Sequence, residues 1–266
     1  MKLFDTHCHL NHRSFQADLD AVLKRAFDSG VENILVPGWD LESSCQAVKL
    51  AEKHPQITAA VGIHPGEIQR NPSVSTDGIL ELAHHPRVVA IGEIGLDYYH
   101  DDKHPLEQQS LLNEMLSIAC ETHKRVILHS RNSMQDLLPL LITWVNDLNK
   151  SKNPISTQPG VLHAFEGTIS EAQQLIPFGF KFGVGGPLTY KNAWQKKDVF
   201  ASIPYECILL ETDAPYLSPQ GHRGERNEPC FLPLVANELS LLREEPLEIM
   251  VQNIYWNSYN MFIKDN

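Results

Sequence analysis

Eight short apolar runs punctuate the chain, and their pattern restricts the fold more than any other feature. They occupy residues 2–5, 31–37, 57–63, 88–93, 126–129, 160–163, 180–184 and 207–211. Val, Ile and Leu dominate them, and most lack alternation of polar and apolar residues. A strand covered on one face alternates, whereas a strand buried on both faces does not. The runs therefore predict a parallel sheet. Segments of helical period separate them. Leu19, Val22, Leu23, Ala26 and Phe27 make one apolar stripe that stops at Gly30. Leu112, Met115, Leu116 and Ala119 make another. Thr168 to Glu171 has capping-box spacing ahead of Ala172, Leu175 and Ile176, and Gly179 ends that turn. A last amphipathic helix is predicted over residues 246–262, with Leu247, Met250, Val251 and Ile254 on one side. Eight strands alternating with helices predict an α/β fold: a (β/α)8 TIM-type barrel forming one domain over residues 1–266. An open doubly wound sheet is the alternative. No internal repeat is visible. Residues 149–160 read as a long loop. So do residues 220–229, which follow the last strand, where barrels place substrate loops.

Polar residues gather at the carboxyl ends of these runs. Asp5, His7 and His9 end the first, Glu93 the fourth, His129 the fifth, His163 the sixth and Asp213 the eighth. A barrel brings such ends to one mouth. His-x-His suits a strand, where alternate residues share a face and both imidazoles reach one ion. A carboxylate from another strand can bridge two ions about 3.5–4 Å apart, the separation used in two-metal hydrolysis. Imidazole with carboxylate suits Zn, Mn, Co or Fe, and a carboxylate-rich site also accepts Mg. Cys8 on the same strand points away from the histidines. Taken singly, each of these residues reads more simply as a hydrogen-bonded core histidine or a solvated strand end; the joint pattern reads as a metal site.

Charge narrows the substrate. With 22 basic and 33 acidic residues the net charge is −11, histidines counted neutral. Such a chain has no global attraction to phosphate backbones or anionic membranes. The five cysteines lack any CxxC pair and read as reduced, mostly buried thiols. The first ten residues have no secretory apolar region, and no later stretch is apolar enough to span a bilayer. A cytoplasmic protein without a membrane or protein partner is expected.

Several blocks together resemble the TatD family of metal-dependent hydrolases and deoxyribonucleases, within the amidohydrolase-like barrels. They are DTHCHL (5–10), VGIHP (61–65), GEIGLDYY (92–99), EQQSLL (107–112), ILHSR (127–131), HAFEG (163–167), ETDAPYL (211–217) and HRGERNEP (222–229). The resemblance runs nearly end to end. It implies a barrel and two divalent ions, one held by His7, His9, Glu93 and Asp213. Glu93 would bridge to the second, held also by His129 and His163. It further implies 3′–5′ exonucleolytic hydrolysis of DNA. One departure is Glu166, where the family often has Ser; an extra acid near the mouth bears on substrate choice.

Within that expectation, Asp213 orients the attacking water and accepts its proton, the alternative being a ligand role alone. Asp5 is a candidate acceptor fixing a histidine tautomer. Arg131 and Arg223 offer planar forks for phosphate, unless Arg223 is paired internally with Glu225 or Glu228. His64 lines the mouth as a hydrogen-bonding residue. Tyr98 and Tyr99 are candidates to stack a base, with wall packing the alternative. Trp39, Trp144, Trp194 and Trp256 read as packing residues. The expected substrate is a DNA strand end or small phosphoester, gripped where two cations supply about +4 of local charge. The same chemistry on another ester, amide or aminoacyl bond is the alternative. The intact ligand set argues against a non-enzymatic scaffold.

Overall fold

A computed structural model describes residues 1–71 and 73–264. Eight strands run in chain order: β1 (Leu3–Asp5), β2 (Val31–Pro37), β3 (Ile57–Val61), β4 (Val88–Asp97), β5 (Arg125–Arg131), β6 (Gly160–Leu162), β7 (Lys181–Val184) and β8 (Ile208–Leu210). Each pairs in parallel with the next, so sheet order equals chain order. The first and last strands then meet. Thr6 N donates to Leu210 O at 3.0 Å, Asp213 N to His7 O at 2.8 Å and His9 N to Ala214 O at 2.7 Å. This is a nearly closed (β/α)8 barrel. A doubly wound sheet reverses its strand order at a switch point and keeps two open edges; the sequential order overturns that alternative.

The missing alternation has a direct cause. Inward residues such as Phe4, Leu35, Ile127, Val161 and Leu209 form one cluster, against which Met261 and Phe262 pack. Outward residues such as Leu3, Ile34, Val36, Val126 and Leu128 join the helices in a second cluster. The central residues of the strands are buried on both faces, so both are apolar there.

Ten helices accompany the strands among the described residues: α1 (Leu19–Asp28), α2 (Leu41–Lys53), α3 (Gly66–Arg70), α4 (Asp77–Ala83), α5 (Pro105–Thr122), α6 (Met134–Lys150), α7 (Ile169–Leu175), α8 (Trp194–Ser202), α9 (Leu232–Arg243) and α10 (Leu247–Phe262). The capping box forms as expected. Glu171 N donates to Thr168 Oγ1 at 3.2 Å, and Thr168 N donates to Glu171 Oε2 at 2.6 Å. No helix among the described residues is long and apolar enough to cross a membrane.

Two positions depart from the expected elements. The His7–His9 segment lies just beyond β1, in irregular backbone rather than in the strand. There the chain bonds alternately to β2 and to the segment after β8, with Cys8 N donating to Leu35 O. Strand β4 runs on past Glu93 to Asp97, with its register against β5 shifting between Ile91 and Ile94. The irregularity falls on Gly92 and Glu93 and re-aims the glutamate. A Cβ on Gly92 would lie 2.6 Å from Ile127 Cβ. Only glycine lets β4 press so close to β5.

Candidate metal centre

Glu93 stands at the middle of the mouth, 4% exposed. Its two oxygens face different groups. Oε2 is 3.3 Å from His7 Nε2 and 3.5 Å from His9 Nε2. Oε1 is 2.8 Å from His163 Nε2, 3.0 Å from His129 Nδ1 and 3.5 Å from His64 Nε2. Asp213 joins the first group, its Oδ1 3.4 Å from His9 Nε2 and 3.7 Å from His7 Nε2. His7 and His9 still converge although they are not in a strand, their Nε2 atoms 3.2 Å apart. The His163 ring stacks on His7 with centroids 3.9 Å apart.

Electrostatics follow from this crowding. Burial opposes ionisation of Glu93, but His163, His64 and His129 outweigh it and hold the carboxyl well below its ordinary range. Burial likewise opposes ionisation of Asp213, and His9 and His7 lower it nonetheless. Burial and repulsion by His163 push His7 down to about 4. Against burial, Glu93 lifts His163 to about 9. In the metal-free protein a proton on His163 thus offsets the carboxylates. Buried imidazoles and carboxylates that neutralise one another only by retaining protons are a donor set fitted to divalent cations.

Tautomers separate the histidines by role. His129 turns Nε2 to Asp97 Oδ2 at 3.2 Å. Asp97 accepts that hydrogen, so the Nδ1 lone pair faces Glu93. Gln108 of α5 fixes Asp97 in turn: Asp97 N donates to Gln108 Oε1 at 2.8 Å, and Gln108 Nε2 donates to Asp97 O at 3.1 Å. His64 is arranged the other way. Gly66 N donates to its Nδ1 at 3.0 Å, which leaves the hydrogen on Nε2, aimed at Glu93. His64, Glu93 and His129 are close enough to hold an ion together. The backbone bond on Nδ1 instead suits His64 as a hydrogen-bond donor.

The remaining expected residues divide. Arg131 ends β5, its guanidinium 4.2 Å from the centre of the Tyr99 ring. Arg223 lies over Tyr190 at 4.6 Å. Its supposed internal partners are engaged elsewhere: Glu225 with His222, and Glu228 with Arg25 and Arg226. Tyr98 is turned into the wall, its hydroxyl 3.0 Å from Asp136 Oδ2, so Tyr99 is the ring that faces solvent. Among the described residues, Asp5 touches no imidazole nitrogen. It accepts from Thr212 N at 2.9 Å and Thr212 Oγ1 at 2.6 Å, and burial pushes it up to about 7. Asp97 holds the tautomer-fixing position expected of Asp5. Glu166 lines a cavity of about 280 Å³ with Asn132, Gln135 and His163. The Trp39 ring packs edge-on 5.5 Å from that of His9, while Trp194 and Trp256 are exposed.

Asp97, Tyr190 and Glu211 are not among the site residues expected from the sequence, and Trp39 was expected only as a packing residue. Glu211 is buried against Ala164 N, and burial raises it to about 8. For Asp97 a signal existed: Glu93, Gly95 and Asp97 alternate, so both acids share a strand face.

A parallel barrel with imidazoles and carboxylates gathered at its carboxyl end defines a metal-dependent hydrolase. The chain belongs to the TatD-related DNase family, whose model matches residues 4–263. It is 37% identical over 263 residues to the uncharacterized metal-dependent hydrolase YjjV of Escherichia coli K12, covering 98% of each chain. It is 34% identical over 249 residues to the 3′-5′ ssDNA/RNA exonuclease TatD of Salmonella typhimurium, covering 91% of this chain and 92% of that one. The crystal structure of Escherichia coli YjjV superposes with a TM-score of 0.88 at 36% identity, over 98% of this chain and 97% of that one.

Proposed function

We propose that this chain is a divalent-metal-dependent phosphodiesterase that removes nucleotides from the 3′ end of a single DNA strand. The observation that carries the reading is Glu93, with one oxygen turned to each of two imidazole groups. His7, His9 and Asp213 would hold one ion and His129 and His163 a second, with Glu93 shared. Zn, Mn, Co and Mg all suit this donor set. Such ions, when bound, supply Lewis acidity and ease the loss of a proton from water near pH 7.

The chain's own residues supply the rest. Asp213 is held ionised beside His9 and His7, so it can orient the attacking water and accept its proton. His64 presents Nε2–H toward the same space and stabilises charge on a phosphoryl oxygen. Arg131 and Arg223 present guanidinium forks that contact flanking phosphates. The similarity to a relative named as a 3′-5′ ssDNA/RNA exonuclease supports the direction of attack.

A screen of metal-reconstituted protein across Mg²⁺, Mn²⁺, Co²⁺ and Zn²⁺, on single strands labelled at either end, tests the reading. Release of nucleotides from the 3′ end, lost in His129→Ala, is expected. No release with any ion, or equal release by His129→Ala, contradicts it. The Glu166 cavity, acidic and lined by amides, favours a second reading: hydrolysis of another ester or amide whose donor-rich group enters there. Esters included in the same screen separate the two.

A further inference from the structure

We infer that the rim of the barrel carries two stacking platforms, on opposite sides of the metal centre, that grip a single nucleic-acid strand by its bases. The inference rests on the nuclease reading and adds how the substrate is held. With eight strands in sequential order, the ends of β1 and β5 face one another across the mouth. The first platform stands on the β8–β1–β2 side. His12 lies there between Trp39 and Tyr216, its ring centroid 6.2 Å from the first and 5.8 Å from the second. Both of these rings also touch His9, at 5.5 and 6.0 Å. The second platform stands on the β4–β5 side. There Arg131 lies over Tyr99, which is 60% exposed, and Arg131 leads back along β5 to His129. Glu93 lies between the two platforms.

The cations support this assignment. In a chain of net charge −11, Arg25, Arg70, Arg226 and Arg243 each pair with a carboxylate. Arg131 has no carboxylate partner among the described residues. Its guanidinium is parked on an aromatic face at the mouth, so its charge stays free for a phosphate while it stiffens the ring beneath. Rings with a few unpaired guanidiniums are the equipment of single-strand binding, because every base has a π-face to offer. Duplex DNA keeps its bases stacked on one another and offers these rings nothing. Stacking also solves the difficulty posed by the acidic surface: the strand is held by its bases on either side of one central phosphate, with little help from long-range attraction.

The test is the binding of a short fluorescent oligothymidine with phosphorothioate linkages to the Mg²⁺-loaded protein, read by anisotropy. Trp39→Ala and Tyr99→Ala are each expected to weaken binding about tenfold, and Tyr99→Phe to stay within about twofold of the parent. A single abasic residue is then moved along the strand. At one position it is expected to cancel the effect of Tyr99→Ala, and at a different position that of Trp39→Ala. The inference is overturned if both alanine variants bind like the parent, if their losses are the same wherever the abasic residue sits, or if duplex binds as tightly as single strand. Binding is read without turnover. A protein that shows these losses yet releases no nucleotide therefore contradicts the nuclease reading alone.

Discussion

The Asp97 carboxylate accepts hydrogen bonds from four groups: the Tyr99 and His100 backbone amides, His100 Nδ1 and His129 Nε2. Burial opposes its ionisation, but His129 and His100 lower it below the ordinary carboxylate range. That charge decides which His129 nitrogen is free. Asp97→Ala is therefore expected to weaken binding at the His129 subsite about 10- to 100-fold, measured by calorimetric titration with Mn²⁺. An unchanged affinity would remove Asp97 from this role. Histidines and Glu93 were legible in the sequence because each ends an apolar run. Asp97 was less so: its spacing from Glu93 through Gly95 puts both acids on one face only if the strand runs on, and the apolar run breaks at Glu93, where β4 continues through a register shift. Neighbouring tyrosines were ambiguous for a similar reason. Which of Tyr98 and Tyr99 faces the wall depends on Asp136 of α6, far along the chain.

At the scale of elements, the barrel closes where β1 meets β8, and both strands are only three residues long. Side chains reinforce what the short ladder cannot supply. Asp5 binds Thr212 through both its N–H and its hydroxyl, and Asn227 Nδ2 donates to Thr212 O at 2.8 Å. Thr212→Val leaves Asp5 Oδ2 buried without that hydroxyl, and should cost about 1–3 kcal/mol of stability, read by urea unfolding. In the β6–β7 connection, Thr168→Ala removes one half of the α7 capping box. It should cost about 1 kcal/mol while leaving metal affinity unaltered, since the Thr168 hydroxyl bonds to Glu171 rather than to a proposed ligand residue. The strands themselves were legible to within a few residues, because dry strands need apolar runs. The Thr212 clasp was hidden, since it joins residues 207 positions apart.

For the whole molecule, net negative charge and a metal-free mouth that holds protons make stability depend on pH. His163 has a folded pKa of about 9 against an ordinary 6.5. Its contribution is full below 6.5 and is lost as pH rises through about 9. Glu211, raised from 4.5 to about 8, acts in the same direction. His7, lowered to about 4, opposes them only below 6.5. The metal-free protein should therefore lose thermal stability between pH 6.5 and 9, as scanning calorimetry would record. Metal uptake should release protons over that window, because ligating imidazoles must be neutral. A melting temperature that rises from pH 6.5 to 9 without metal would contradict the assignment. Glu93 is proposed to divide two cation positions. Anomalous diffraction from crystals soaked in Mn²⁺ tests this most directly. Two peaks about 3.5–4 Å apart are predicted, one beside His7, His9 and Asp213 and one beside His129 and His163, with Glu93 between them. A single peak, or ions that leave Glu93 untouched, would contradict it.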